Sequence, residues 1–295
     1  MTPRCIVVGV DLTEPSVIAA RWTVAQLGDD SEIVLAHAIC VPEPPRFLRG
    51  LHAPTQPLIE DAKRGAEVRL RELISSLGVN RVRHDIRVGR PDEVVIAIAR
   101  ELGAELVVIG PHRERPGIWK LLGGTAERVT QRAPSSVLLA RALPAGAPRT
   151  VLAAIDESEI TPAVLDWAVL ISSRTNANVI VMHIVNPLIS GAVAMNAGSI
   201  ERRRAEDQLR EGSETWLRER IAGTRLEGAV TEVAFGDPGF EILAAVERFG
   251  ADLVVIGRNS PGRGRHAGLG GTSAFLLRSG SGPVLLVSSP GAAGD

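Results

Sequence analysis

The chain has 295 residues, 45% of them hydrophobic, and a formal net charge of −1. At this length a single core ordinarily divides into two domains. A near-neutral charge with only 3% aromatic residues argues against a nucleic-acid binder, which needs a basic excess and stacking surfaces.

Two cysteines, Cys5 and Cys40, flank apolar runs and read as thiols of a reduced chain without a disulfide framework. The first apolar run stops at Asp11, too early for a signal peptide, and no run approaches the ~20 residues of a membrane span. The expectation is a cytoplasmic protein with no membrane partner. The basic run Arg202-Arg203-Arg204 is followed by Glu206, Asp207 and Glu211 at helical spacing, which reads as a solvated, ion-paired helix face.

Taken in chain order, CIVVGV (5–10) is a strand and Pro15–Leu27 a helix with apolar residues at Val17, Ile18, Ala20 and Trp22. EIVLAH (32–37) is the second strand, and Leu58–Leu77 a helix with one charged face. VRHDIRV (82–88) leads into Pro91–Leu102, a helix with proline in its first turn. ELVVIG (105–110) is followed by a glycine-rich loop, a helix over Thr125–Ala133 and the strand SVLLA (136–140). Most strands are nearly continuous apolar runs, as expected where a parallel sheet buries both faces. Five alternations of strand and helix predict a doubly wound sheet with right-handed crossovers.

The second half repeats the first. GAELVVIG (103–110) returns as GADLVVIG (250–257), and LLGGTA (121–126) as GLGGTS (268–273), each 147 residues later. Gly89-Arg90-Pro91 returns as Gly236-Asp237-Pro238 at the same spacing, while IVVGVD (6–11) answers LAAID (152–156) and VLAHAI (34–39) answers IVMHIV (180–185). A period this long means duplication of a whole domain, far beyond the roughly 20–50 residues of a solenoid unit. The fold class expected is α/β: two tandem Rossmann-like domains, each a five-stranded, mostly parallel sheet with helices on both faces. Domains are placed at 1–143 and 149–290, on either side of the Pro/Ala/Gly-rich linker ALPAGAPR (142–149).

Ligands of open parallel sheets bind outside the carboxyl ends of the strands, near the reversal of strand order. Three features recur there. Asp11 and Asp156 directly follow the first strand of each copy; such a carboxylate can accept from a ligand or cap the following turn. His37 and His183 end the second strand, where a histidine is either a base or a ring satisfied by a backbone group. The glycine-rich stretches 110–129 and 257–276 then lead into helix starts, which favour phosphate through exposed N–H groups and the dipole, or merely allow a tight entry. Neither a nucleophile elbow nor a metal-ligand spacing accompanies them.

In this order the pieces resemble the universal stress protein family, twice over, along nearly the whole chain. Members that bind ATP carry G-x2-G-x9-G-[ST]. Gly110 and Gly123 keep its outer spacing, as do Gly257 and Gly270, but Arg113 and Ser260 stand at the second glycine and Gly124 and Gly271 where the hydroxyl belongs. The hydroxyl comes one place later, at Thr125 and Thr272. The resemblance implies that Asp156 and Ile184 hold adenine and ribose, and that Gly257, Ser260, Gly270, Gly271 and Thr272 hold phosphates. The first-copy equivalents are Asp11, Ala38, Gly110, Gly123, Gly124 and Thr125. The milder departure, Ser260, favours the second copy.

The function implied is a non-catalytic stress-response regulator, gated by ATP or another adenine nucleotide with Mg. It would act through an unidentified protein partner, with its two domains paired within the chain and a homodimer also compatible. Alternatives are a nucleotide-free interaction scaffold and a slow ATPase or adenine-nucleotide hydrolase. The loops Val41–Pro57 and Asn186–Gly198 differ most between copies and are the natural places for selectivity.

Overall fold

The computed structural model describes residues 2–41, 55–111, 124–186, 199–258 and 269–288. The chain forms two compact units, Thr2–Leu143 and Pro144–Ser289.

In the first unit the strands are β1 (Cys5–Gly9), β2 (Glu32–Ile39), β3 (Val82–Val88), β4 (Leu106–Ile109) and β5 (Ser136–Leu139). The helices between them are α1 (Glu14–Leu27), α2 (Thr55–Leu77), α3 (Pro91–Glu101) and α4 (Gly124–Arg132). The strands pair in parallel, in the order β3-β2-β1-β4-β5. After β3 the chain crosses back over β1 to lay down β4, so strand order reverses between β1 and β4. Open parallel sheets take up ligands outside the carboxyl ends of the strands at such a reversal. Register aligns Gly9 with Ile109 across that boundary.

The second unit repeats the plan with β6 (Thr150–Ile155), β7 (Asn178–Val185), β8 (Val230–Phe235), β9 (Leu253–Gly257) and β10 (Val284–Val287). Its helices are α5 (Thr161–Thr175), α6 (Ser199–Ile221), α7 (Pro238–Phe249) and α8 (Gly271–Ser279). The order is β8-β7-β6-β9-β10, again parallel, with the reversal between β6 and β9. The predicted fold class is therefore the observed one.

Composition explains the layers. Ile6, Val7 and Val8 of β1 have no exposed surface, and neither do Val107 and Val108 of β4, because helices cover both faces of these central strands. Each such side chain contributes about 1.5–3 kcal/mol on burial. β3 and β8 lie at the end of each order, and their mixed sequences leave Val88 and Val230 exposed.

Helix ends follow local chemistry. Proline occupies the first turn of α1, α3, α5 and α7, where no backbone donor is needed. Asp237 caps α7, its Oδ1 accepting from Gly239 N at 2.9 Å and Phe240 N at 3.3 Å. Gly250 closes α7 in the left-handed conformation at φ 60°, which a glycine adopts without steric penalty. The predicted first helix began at Pro15 and the second at Leu58; in the structure they begin one and three residues earlier.

Candidate functional site

Asp11 and Asp156 stand at the carboxyl ends of β1 and β6, and both spend one oxygen on their own turn. Asp11 Oδ1 accepts from Thr13 N at 3.0 Å and Thr13 Oγ1 at 2.6 Å. Asp156 Oδ1 accepts from Ser158 N at 3.1 Å and from the Ser158 hydroxyl. These are the turn-capping bonds that short acidic side chains make with the backbone two residues on. Partial burial works to raise the Asp11 carboxyl, but hydrogen bonds from Thr13, Ser16 and the Thr13 amide outweigh it and hold the group below its ordinary range. The first turn is also the more contorted. Leu12 takes φ 63°, and its carbonyl is held by Arg69 Nη2 of α2 at 3.0 Å.

The two histidines behave alike. His37 Nδ1 lies 2.7 Å from Val10 O, and His183 Nδ1 lies 3.1 Å from Ile155 O. A carbonyl only accepts, so in each ring Nδ1 carries the proton and donates. Each ring thus ties the end of the second strand to the end of the first. His183 also packs on Trp216 of α6, with ring centroids 4.8 Å apart. The residues that follow, Ala38 and Ile184, are half-buried and pair in register with Arg87 and Ala234.

Gly110 follows the buried strand β4 and Gly257 ends β9, and both are tightly enclosed. A Cβ at Gly110 would lie 3.2 Å from Ser16 Cα and 3.3 Å from Pro15 O, backbone atoms of the first turn of α1. A Cβ at Gly257 would lie 2.7 Å from Ile160 Cγ2 at the start of α5. Glycine here lets the loop after one central strand lie against the helix that follows its neighbour.

The helix starts complete the sites. In the second unit Gly270 N donates to Arg258 O at 3.0 Å, and Ser273 Oγ donates to Gly257 O at 2.8 Å. The glycine at the strand end and the first turn of α8 are thereby held together. Gly271 is exposed, with nothing among the described residues within 4 Å of a Cβ built on it, and Thr272 is half-buried. Arg258, 8% exposed, sits beside this turn, and burial pushes its guanidinium down from its ordinary range. In the first unit Gly124 and Thr125 open α4, and Ala126 stands where the second unit has Ser273. Gly123, Ser260 and Arg113 lie outside the described residues.

Two features escaped the sequence motifs. One is Ser273, whose hydroxyl, rather than that of Thr272, engages the strand end. The other is the contact between the third and fourth helices of each unit. In the first, Arg128 Nε of α4 lies 2.7 Å from Oδ2 of Asp92 in α3, a carboxylate with no exposed surface. Its carboxyl is held below the ordinary range: burial opposes the charge, and Arg128 more than offsets it, with help from Arg90. In the second unit the aligned residues are Gly239 and Phe275. The signal was available in the alignment of the two halves, which changes both members of the pair together.

Among the described residues no His/Cys/Asp/Glu group could hold a metal ion, and no helix is long and apolar enough to cross a membrane.

Comparison with known proteins bears on the fold and the family. The sequence model of the universal stress protein family matches residues 3–141 and again 148–288. A universal stress protein of a Synechocystis strain is 26% identical over 148 residues, which is 46% of this chain and 96% of that protein. The crystal structure of a universal stress protein from Archaeoglobus fulgidus superposes with a TM-score of 0.68 at 18% identity, covering 96% of this chain and 98% of that one. A structure assigned to the same family from Pseudomonas aeruginosa gives 0.67 at 16% identity, covering 97% of this chain and 93% of that one. Likeness at such identity speaks for the fold; the family follows from the two sequence matches, which take in nearly every residue. The chain belongs to the universal stress protein family and carries its domain twice.

Proposed function

We propose that the protein is a non-catalytic stress-response regulator that binds an adenine nucleotide, ATP with Mg, in its second domain and signals its occupancy to a protein partner in the cytoplasm. The observation that carries this reading is the turn at the start of α8. Gly271 is exposed there, with none of the described residues within 4 Å of a Cβ built on it, while Ser273 Oγ, 2.8 Å from Gly257 O, keeps the helix start against the strand end. Such a turn offers unpaired amides and the positive end of a dipole to a phosphate. Asp156, at the carboxyl end of the neighbouring strand β6, would receive the nucleoside through the oxygen that its own turn leaves over. A regulatory role suits the two histidines, since each commits Nδ1 to a backbone carbonyl.

A second reading, a nucleotide-free scaffold, draws support from Asp11 and Asp156, each of which already has an oxygen engaged in its own turn. One experiment separates them. Protein purified without added ligand is heat-extracted and its nucleotide measured by chromatography, then the stripped protein is titrated with ATP and Mg. Retained or rebound adenine nucleotide, weakened by Gly271→Val, supports the regulator. An empty protein that takes up no ATP at millimolar concentration supports the scaffold.

A further inference from the structure

The outward faces of α3 and α7 carry opposite charges at aligned positions. On α3 the outer line runs Arg90, Glu93, Ala97 and Arg100, spaced so that all four share one side of the helix. The line 147 residues later reads Asp237, Phe240, Ala244 and Glu247. Ala97 is half-buried and the other seven are exposed. The cations at both ends of the first line thus become anions in the second. The following pair reverses too, Glu101 against Arg248, but each is satisfied inside its own domain: Glu101 by Arg87 at 2.7 Å and Arg248 by Glu232 at 2.6 Å. Arg100 and Glu247 differ from these, for neither side chain makes a hydrogen bond or ion pair among the described residues.

The middle of the two lines differs in polarity. Phe240 keeps 63% exposure although its ring lies 4.7 Å from that of Phe275. Glu93 at the aligned position, 60% exposed, shows that the fold does not call for an apolar residue there. An aromatic anchor inside a polar rim is the make-up of a binding face. The complement of Phe240 and Ala244 between two carboxylates is a small residue between two cations at the same spacing. The α3 line has that form, with Ala97 between Arg90 and Arg100. Both ends of one line are cationic and both ends of the other anionic, so docking in either direction brings opposite charges together. Laid antiparallel, Phe240 meets Ala97, Arg100 meets Asp237 and Arg90 meets Glu247. Two α3 faces, or two α7 faces, would instead set like charges against each other. Arg90 already shares its charge with Asp92 and Glu93, at 3.3 and 3.5 Å, which leaves Arg100 as the stronger end.

We propose that the α7 face of one copy docks on the α3 face of a second copy of this chain, with Phe240 as the anchor and Arg100 and Glu247 among the charges that set the pairing. The inference goes beyond the nucleotide reading above and does not depend on it.

The test is sedimentation velocity of the full chain over a concentration series reaching about 100 μM, a range suited to a contact built on one helix pair. Wild type is expected to self-associate, and to do so less as salt rises, since exposed charges are screened. Glu247→Arg, Arg100→Glu and Phe240→Glu should each weaken association about tenfold. Glu219→Arg makes the same charge change on α6 and should leave association as it is. Thermal unfolding of each variant reports on the fold. Should Phe240→Glu fail to fold, the changes at Arg100 and Glu247 decide, because both side chains are exposed. A loss in Glu219→Arg equal to that in Glu247→Arg would reduce the effect to net charge and overturn the proposal. Association indifferent to all three changes places the contact on another surface and overturns it too. A wild type that stays monomeric overturns it as well, and leaves the α7 face to a different protein.

Discussion

In the first domain α3 and α4 meet through Asp92 and Arg128, and in the second α7 and α8 meet through Gly239 and Phe275. The surrounding elements are the same, and so is the backbone plan, yet one junction is ionic and the other aromatic. The change spreads to the neighbouring positions. Arg90 precedes the first helix without a side-chain cap, whereas Asp237 caps the second. Glu93 is replaced by Phe240, whose ring lies 4.7 Å from that of Phe275. Duplicated domains can keep a fold while exchanging a whole cluster, because each junction has to be satisfied only within itself. The acid needed at the start of the third helix is then supplied differently: by Asp92 within the first turn of α3, and by Asp237 ahead of α7.

The largest effect is expected from breaking one member of the ionic junction. Arg128→Ala leaves a carboxylate of zero exposure without its main partner and should destabilise the first domain by about 3 kcal/mol. This is the low end for such losses, because Arg90 remains 3.3 Å from Asp92. Hydrogen exchange along α3 and α4 measures it. The comparison itself is challenged by the double change Asp92→Gly with Arg128→Phe, which imports the aromatic junction. Recovery to within about 1 kcal/mol of wild type would show the two junctions to be interchangeable, and simple addition of the two losses would show that they are not.

Next comes Gly239→Asp alone. The new Cβ would press on the Phe275 ring at 2.3 Å, and overpacking of this kind costs about 1–3 kcal/mol, confined to the second domain. Denaturant unfolding with exchange readout along α7 should register it. A smaller effect is expected at the caps. Asp237→Ala removes bonds to Gly239 N and Phe240 N and should destabilise by about 1 kcal/mol. Arg90→Ala, whose side chain makes no cap bond, should shift α3 far less than Asp237→Ala shifts α7.

The smallest difference should appear in acid. Asp11 and Asp92 both have folded-state carboxyls held below the ordinary range. A depressed carboxyl contributes stability that is present above its unfolded pKa and lost as pH falls through the folded one. The first domain should therefore lose this contribution below about pH 4, the ordinary aspartate range. Asp92→Asn, itself less stable near neutrality, should show a flatter decline across that window. An unchanged slope would mean that Asp92 does not ionise differently on folding.

Much of the architecture was legible before any coordinates. The apolar runs 5–10 and 105–110 are strands because only helix-covered parallel strands tolerate so little polarity, and the prolines at 91 and 238 mark helix starts in both halves. The candidate positions were legible as a pattern, since Asp11 and Gly110, like Asp156 and Gly257, stand at ends of strands that pair side by side within each domain. Their partners were not. Nothing local tells whether Asp156 will spend an oxygen on Ser158, and the hydroxyl of Thr272 looks as eligible as that of Ser273. The helix phase places Ser273 beneath Gly257, where its Oγ meets the carbonyl.

By itself, then, the sequence determined the duplication and the strand–helix alternation. The duplication is read by comparing the chain with itself 147 residues on, and the rest depends on periodicity and chain punctuation, which act over a few residues. Only the tertiary structure decided that Arg128 lies against Asp92, and that Phe275 lies against Gly239 instead. Such contacts join residues 36 positions apart in the chain, on separate helices, and are set by how those helices pack on the sheet.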